Sequence, residues 1–125
     1  MPENFYVNTV GAVSSTKLSE AIELGKKLTA ESKAAGSERA SIGTIMTGNN
    51  AGSVVFQQFF NSLDDFANVM DAFATSSTYG KIMETGLKVT MRNVAKFCDV
   101  TFVAPENPTR KYVVLTLLTL MAMVF

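Results

Sequence analysis

Residues 42–70 read IGTIMTGNNAGSVVFQQFFNSLDDFANVM, and the fold is decided in that stretch. Ile42, Thr44 and Met46 alternate with Gly43, Ile45 and Thr47, which is the two-residue period of a strand. Gly48-Asn49-Asn50-Ala51-Gly52 then offers residues that tolerate a positive φ, so the chain can reverse there. No Lys-Ser/Thr pair follows these glycines, so the segment reads as a hairpin turn and not as a phosphate loop. Residues 53–60 form a second strand, with Val54, Phe56, Gln58 and Phe60 on one face and Val55, Gln57 and Phe59 on the other. Asn61 and Ser62 stop it. Ser62 and Asp65 have the spacing of a capping box, with Asp in place of the usual Glu. The helix that follows places Leu63, Phe66, Ala67, Met70, Phe73 and Ala74 on its expected apolar stripe.

Towards the N-terminus, residues 5–13 alternate as a strand: Phe5, Val7 and Thr9 face one way, Tyr6, Asn8 and Val10 the other. Gly11 near its end marks a bulge or a close backbone approach. Ser14-Ser15-Thr16 supplies caps for a helix over residues 17–35, whose stripe is Leu18, Ala21, Ile22, Gly25 and Leu28. Glu23 and Lys27 have the favourable i,i+4 order for an ion pair, and Gly36 closes the helix. On the other side, residues 75–78 are a polar break and residues 79–84 a short helix closed by Gly86. Two periods compete over residues 88–96. Leu87, Met91, Val94, Ala95 and Cys98 fit a helix face, whereas Leu87, Val89 and Met91 fit a strand; residues 99–103 read as a strand. Lys88, Arg92 and Lys96 recur every four residues and would share a face in either case, either to bind an anion or, the favoured reading, as a solvated edge that discourages sheet-edge pairing.

Pro105 and Pro108 make residues 104–109 a rigid connection, which divides the chain into a domain over 1–104 and a tail over 105–125. Residues 112–125 carry no charge. As a helix they would span about 21 Å, short of a hydrocarbon core of about 30 Å. Their Val, Leu and Thr content suits an extra C-terminal strand buried on both faces, so no membrane partner is expected. Residues 110–116 also resemble residues 3–9 loosely, as if a second repeat of the domain began there.

A chain of 125 residues, 47% hydrophobic and 18% charged, is long and apolar enough for one packed core. Eleven basic residues balance eleven acidic ones, so no net field favours nucleic acid or an anionic membrane. Cys98 is the only cysteine, which excludes an internal disulfide and suits a reducing, cytoplasmic compartment; it reads as a small buried hydrophobe. Residues 1–13 lack the basic start and apolar run of a secretory signal. The chain has no histidine. That removes the commonest general base, the usual zinc ligand and a haem ligand, so neither metal nor cofactor is expected.

Strand, helix, strand, strand, helix, strand is the α+β split βαβ order: an antiparallel sheet with both helices on one face. The second face should then be wet, yet residues 53–60 carry large apolar groups on both sides. Burying one Phe is worth about 1.5–3 kcal/mol, so several left exposed would be an aggregation hazard. A second copy of the chain can supply the missing cover. The expectation is a homodimer that does not dissociate without unfolding, with an interface above about 2,000 Å² and the tail strand in or beside the seam.

Residues 53–60 (SVVFQQFF), Ser62-Leu63-Asp64-Asp65-Phe66 and Tyr79-Gly80-Lys81-Ile82-Met83 resemble the third strand, second helix and following Tyr-x-x-hydrophobic turn of a known family. That family is the dimeric α/β-barrel group of ferredoxin-like proteins, which includes small antibiotic-biosynthesis monooxygenases and NIPSNAP-like proteins. The resemblance spans residues 5–103. It implies two sheets paired face to face and a small pocket between sheet and helices. Haem-degrading relatives depend on a histidine that is absent here, and cofactor-free oxygenase relatives use pocket Tyr, Asn and Trp, of which Trp is absent.

Asp64 and Asp65 are adjacent carboxylates at a helix start, where negative charge complements the dipole without catalysis. Gln57, Gln58 and Asn8 are amides within apolar strands and need partners. The pocket candidates are Tyr6, Asn8, Gln57, Tyr79 and Arg92. The first reading of function is a binding or scaffold domain for a small apolar ligand, with no chemistry identifiable. The alternatives are a cofactor-independent monooxygenase or isomerase using those five residues, and a membrane-tethered interaction module using the tail.

Overall fold

The computed structural model describes residues 4–97. The expected strand over 99–103, the proline-containing connection and the tail over 112–125 lie outside the described residues. In chain order the elements are β1 (Phe5–Ala12), a 3-10 turn (Ser15–Lys17), α1 (Leu18–Ala35), β2 (Arg39–Thr44), β3 (Val54–Phe60), α2 (Leu63–Ala74), α3 (Ser77–Glu84) and β4 (Lys88–Lys96). The four strands form one antiparallel sheet in the order β2-β3-β1-β4. This is the ferredoxin-like α+β arrangement expected from the order of elements.

Local chemistry accounts for most boundaries. Ser62 Oγ accepts from the Asp65 amide at 3.2 Å and starts α2, with Asp64 and Asp65 in its first turn. Ser76 Oγ accepts from the Tyr79 amide at 3.2 Å and starts α3. Gly36 closes α1 at φ 144°, where the amides of Gly36 and Ser37 both reach the Ser32 carbonyl. Gly48 and Gly52, each at φ 89°, turn the β2–β3 hairpin. The competing periods of residues 88–96 resolve into a strand, because β1 offers it a free edge from Phe5 to Ala12.

Several expectations are corrected. β2 begins at Arg39 and its assigned span ends at Thr44, earlier than the alternation suggested, because the β3 edge extends to Phe59 and pairs with Arg39. Met46 consequently lies 75% exposed beyond the strand. In α2 the buried face is Phe66, Val69, Met70 and Phe73; Leu63 is 51% exposed, since the helix is rotated to bring Val69 into the core. Glu23 pairs with Lys26 at 3.1 Å and not with Lys27, both lysines being within a helical turn's reach. Arg92 and Lys96 share a face, as expected, but Lys88 does not. The β1–β4 register shifts between Val10 and Gly11, and this bulge brings Val89 to the helix side beside Arg92, leaving Lys88 on the opposite side.

The core lies between sheet and helices and is built from Val7, Leu28, Phe60, Val69, Phe73 and Ile82. Phe60 is fully buried and meets Phe66 edge-on, with ring centres 5.5 Å apart. Behind it runs a buried polar chain: Gln58 Nε2 donates to Ser32 Oγ at 3.0 Å, and Ser32 Oγ lies 2.8 Å from Ser37 Oγ. The other face of the sheet carries no helix among the described residues. Tyr6, Phe59 and Phe97 cluster there, with Phe59 and Phe97 stacked at 6.0 Å and the Arg39 guanidinium 4.2 Å above the Phe59 ring.

Candidate functional site

The sheet and helices enclose a cavity of about 60 Å³. Its floor is the helix side of all four strands, from Ile42 on β2 to Val89 and Arg92 on β4. The three helices roof it, with Leu28 from α1, Phe73 from α2 and Ile82 from α3 contributing core side chains. Two glycines let the layers approach. A Cβ built on Gly25 of α1 would come 1.9 Å from Ile42 Cδ1, and one on Gly11 of β1 would come 2.6 Å from Leu87 Cδ2. Neither position can carry a side chain unless its neighbour moves, and both neighbours border the cavity.

Polar groups are few in this lining: Thr9, Gln58, Tyr79 and Arg92. Gln58 is engaged by Ser32, and Tyr79 is stacked on Phe73 with ring centres 5.7 Å apart. Arg92 Nε donates to Thr9 Oγ1 at 3.1 Å across the β1–β4 pair. Only Met83 and Arg92 of the lining residues are exposed, so the cavity opens to solvent between the end of α3 and β4.

The five residues singled out by sequence divide between the two faces of the sheet. Tyr79 and Arg92 line the cavity. Tyr6, Asn8 and Gln57 lie on the opposite face, at least one sheet thickness away. There Gln57 Nε2 donates to the Tyr6 hydroxyl at 3.0 Å, and Ser41 Oγ donates to Gln57 Oε1 at 3.4 Å. Burial pushes the Tyr6 phenol above its ordinary value of about 10, against a smaller opposing effect of the Gln57 hydrogen bond. Asn8 is 3% exposed and its Oδ1 has no partner among the described residues. Gln58 was legible as a cavity residue, since it shares its strand parity with Phe56 and Phe60. Gly11 was read as a bulge or close approach, and both are found there, but nothing signalled that it, Gly25 or Thr9 would line a cavity.

Residues 3–97 match the family described as a domain of unknown function, DUF6854. The chain belongs to that family. No curated protein matches this DUF6854 chain. Among solved structures, a NIPSNAP family protein of unknown function from Agrobacterium tumefaciens superposes with a TM-score of 0.62 at 13% identity, covering 82% of this chain and 96% of that one. A dimeric ferredoxin-like protein from an uncultured marine organism gives 0.58 at 16% identity over 80% of this chain and all of the other (100%). A Nitrosomonas europaea protein named after the antibiotic biosynthesis monooxygenases gives 0.52 at 15% identity, covering 83% and 98% of the two chains. At these identities the similarity establishes a shared fold. The DUF6854 chain therefore shares the ferredoxin-like fold of these proteins, as its element order and strand patterns led us to expect. No helix among the described residues is long and apolar enough to cross a membrane.

Proposed function

We propose that this domain binds a small apolar ligand in the cavity between sheet and helices, works as a homodimer, and carries out no chemistry of its own. The cavity carries the reading: it is apolar on nearly every side, is exposed at Met83 and Arg92, and its walls meet around two glycines. The only ionisable side chains of its lining are Tyr79 and Arg92, which do not form a base–nucleophile pair. The homodimer is supported by the aromatic cluster of Tyr6, Phe59 and Phe97 on the helix-free face, and by the dimeric state named for one structural relative. A second copy would cover that face with its own equivalent, as a two-fold interface requires.

Two measurements test the two halves. Sedimentation at low micromolar concentration should give a dimer for the native chain and a monomer, or an unfolded chain, for Phe59→Lys. A folded native monomer would defeat the assembly half. Native mass spectrometry of protein purified without added ligand, followed by solvent extraction, should find a small apolar compound or leave a cavity that takes one up. A cavity that takes up neither apolar nor amphiphilic small molecules would defeat the binding half.

A further inference from the structure

Resting on the reading of the cavity as a ligand site, we infer that its ligand is a short-chain aliphatic carboxylate: the chain enclosed between helices and sheet, the carboxylate held by Arg92 at the mouth. Three observations lead there. Arg92 is the only charged residue in the lining, so the cavity contributes a cation without an acidic counterpart. Among the described residues, the only side-chain hydrogen bond of its guanidinium is the one from Nε to Thr9 Oγ1. That bond holds the group by one edge and leaves the two Nη atoms as a fork, the geometry that a carboxylate accepts in bidentate fashion.

The second observation is position. Arg92 and Met83 are the exposed members of the lining, so the cation stands at the opening; behind it Gln58 is hydrogen-bonded to Ser32, Tyr79 is stacked on Phe73, and the remaining side chains apart from Thr9 are apolar. A ligand charged at one end and apolar along the rest matches this polarity, whereas a polyol or a dianion would strand polar groups against Leu28, Phe73 and Ile82. The third is size. The enclosed space of about 60 Å³ is less than half of the roughly 150 Å³ that accommodates benzene in a protein interior. It takes a few methylene groups, not an aromatic ring. The bulge at Val10/Gly11 is what makes the arrangement possible, because without that shift of register Arg92 and Val89 could not both face the helices.

The test compares butyrate, n-butanol and benzoate as ligands of the full chain by titration calorimetry and saturation-transfer NMR, with the native protein, Arg92→Gln, and Gly25→Ala. Arg92 is exposed and serves no core contact, so its variant should fold normally. Gly25→Ala adds a methyl to the cavity wall and displaces the Ile42 side chain that lines it; Val89→Phe fills the same space from the sheet if Gly25→Ala proves unfolded by circular dichroism. We expect butyrate to bind more tightly than butanol, benzoate to bind no better than butanol, and Arg92→Gln to weaken butyrate by about ten- to a hundredfold with butanol unchanged. The cavity-filling variant should weaken butyrate and butanol alike. If butanol binds as tightly as butyrate, sensitive to cavity filling but not to Arg92, the cavity reading stands and the carboxylate assignment falls. Butyrate binding that depends on Arg92 but ignores cavity filling is surface ion pairing and also overturns it. If nothing binds to the native chain, both the inference and the reading beneath it are overturned.

Discussion

Replacing Ser32 by Ala should expose how the core tolerates its polar chain. Ser32 is fully buried, and Gln58 and Ser37 are 2% and 6% exposed, so none of the three can turn to solvent. The Ser32 hydroxyl is the middle of the chain, bonded to Gln58 Nε2 at 3.0 Å and to Ser37 Oγ at 2.8 Å. Removing it strands the Gln58 amide donor in the interior, at a cost of about 1–3 kcal/mol. Ser37 Oγ loses the same partner and is likewise closed to solvent, which moves the cost towards the upper end of that range. The better helix propensity of Ala over Ser returns a few tenths of a kcal/mol. The sum is a loss of about 1–3 kcal/mol, which at a urea m-value of about 1–3 kcal/mol/M lowers the midpoint by roughly 1 M. Equilibrium urea unfolding at one fixed chain concentration measures it, since dimerisation couples stability to concentration. Gln58→Leu in the Ser32→Ala background removes the stranded donor, and the double variant should be more stable than the sum of the single losses implies. A Ser32→Ala variant within about 0.5 kcal/mol of the native protein, the level of an ordinary surface change, would refute the reasoning.

Other outcomes can be stated briefly. Phe60→Ala should cost about 3–5 kcal/mol because Phe60 is fully buried, and Phe66→Ala should cost less, being half-buried against it; chemical denaturation of the two variants checks the order. Gly11→Ala should destabilise by about 1–3 kcal/mol through its clash with Leu87, measured as a lower melting midpoint. The Tyr6 phenol has a folded-state value raised by burial, so the folded chain holds its proton longer than the unfolded one. Its contribution to stability should be intact below the ordinary tyrosine value and lost as the pH climbs from there through the folded value. Tyr6→Phe should flatten that alkaline loss in a pH series of unfolding curves; an unchanged slope would assign the loss to other groups.

What the sequence determined by itself was local. Strand alternation in β1 and β3, the Ser62 cap, and glycines at the turn after α1 and in the hairpin all rest on sterics and hydrogen bonds within a few residues. Such terms are present in any context, so residue order discloses them. The two-sided apolar character of β3 was legible for the same reason, because parity along a strand is a property of the backbone. Tertiary structure decided the rest. Residues 88–96 fit helix and strand periods about equally, and only the open edge of β1 made them β4. The polar beginning of β2 became strand because β3 extended past it. Above all, which polar residues meet depended on cross-strand register. Pairing with Thr9 turned Arg92 towards the helices with Tyr79, and the bulge beyond it added Val89 to that side, while Tyr6, Asn8 and Gln57 stayed on the far side of the same sheet. A one-residue shift in pairing reverses the face of everything beyond it, and the free energy that sets that shift comes from contacts between residues about eighty positions apart.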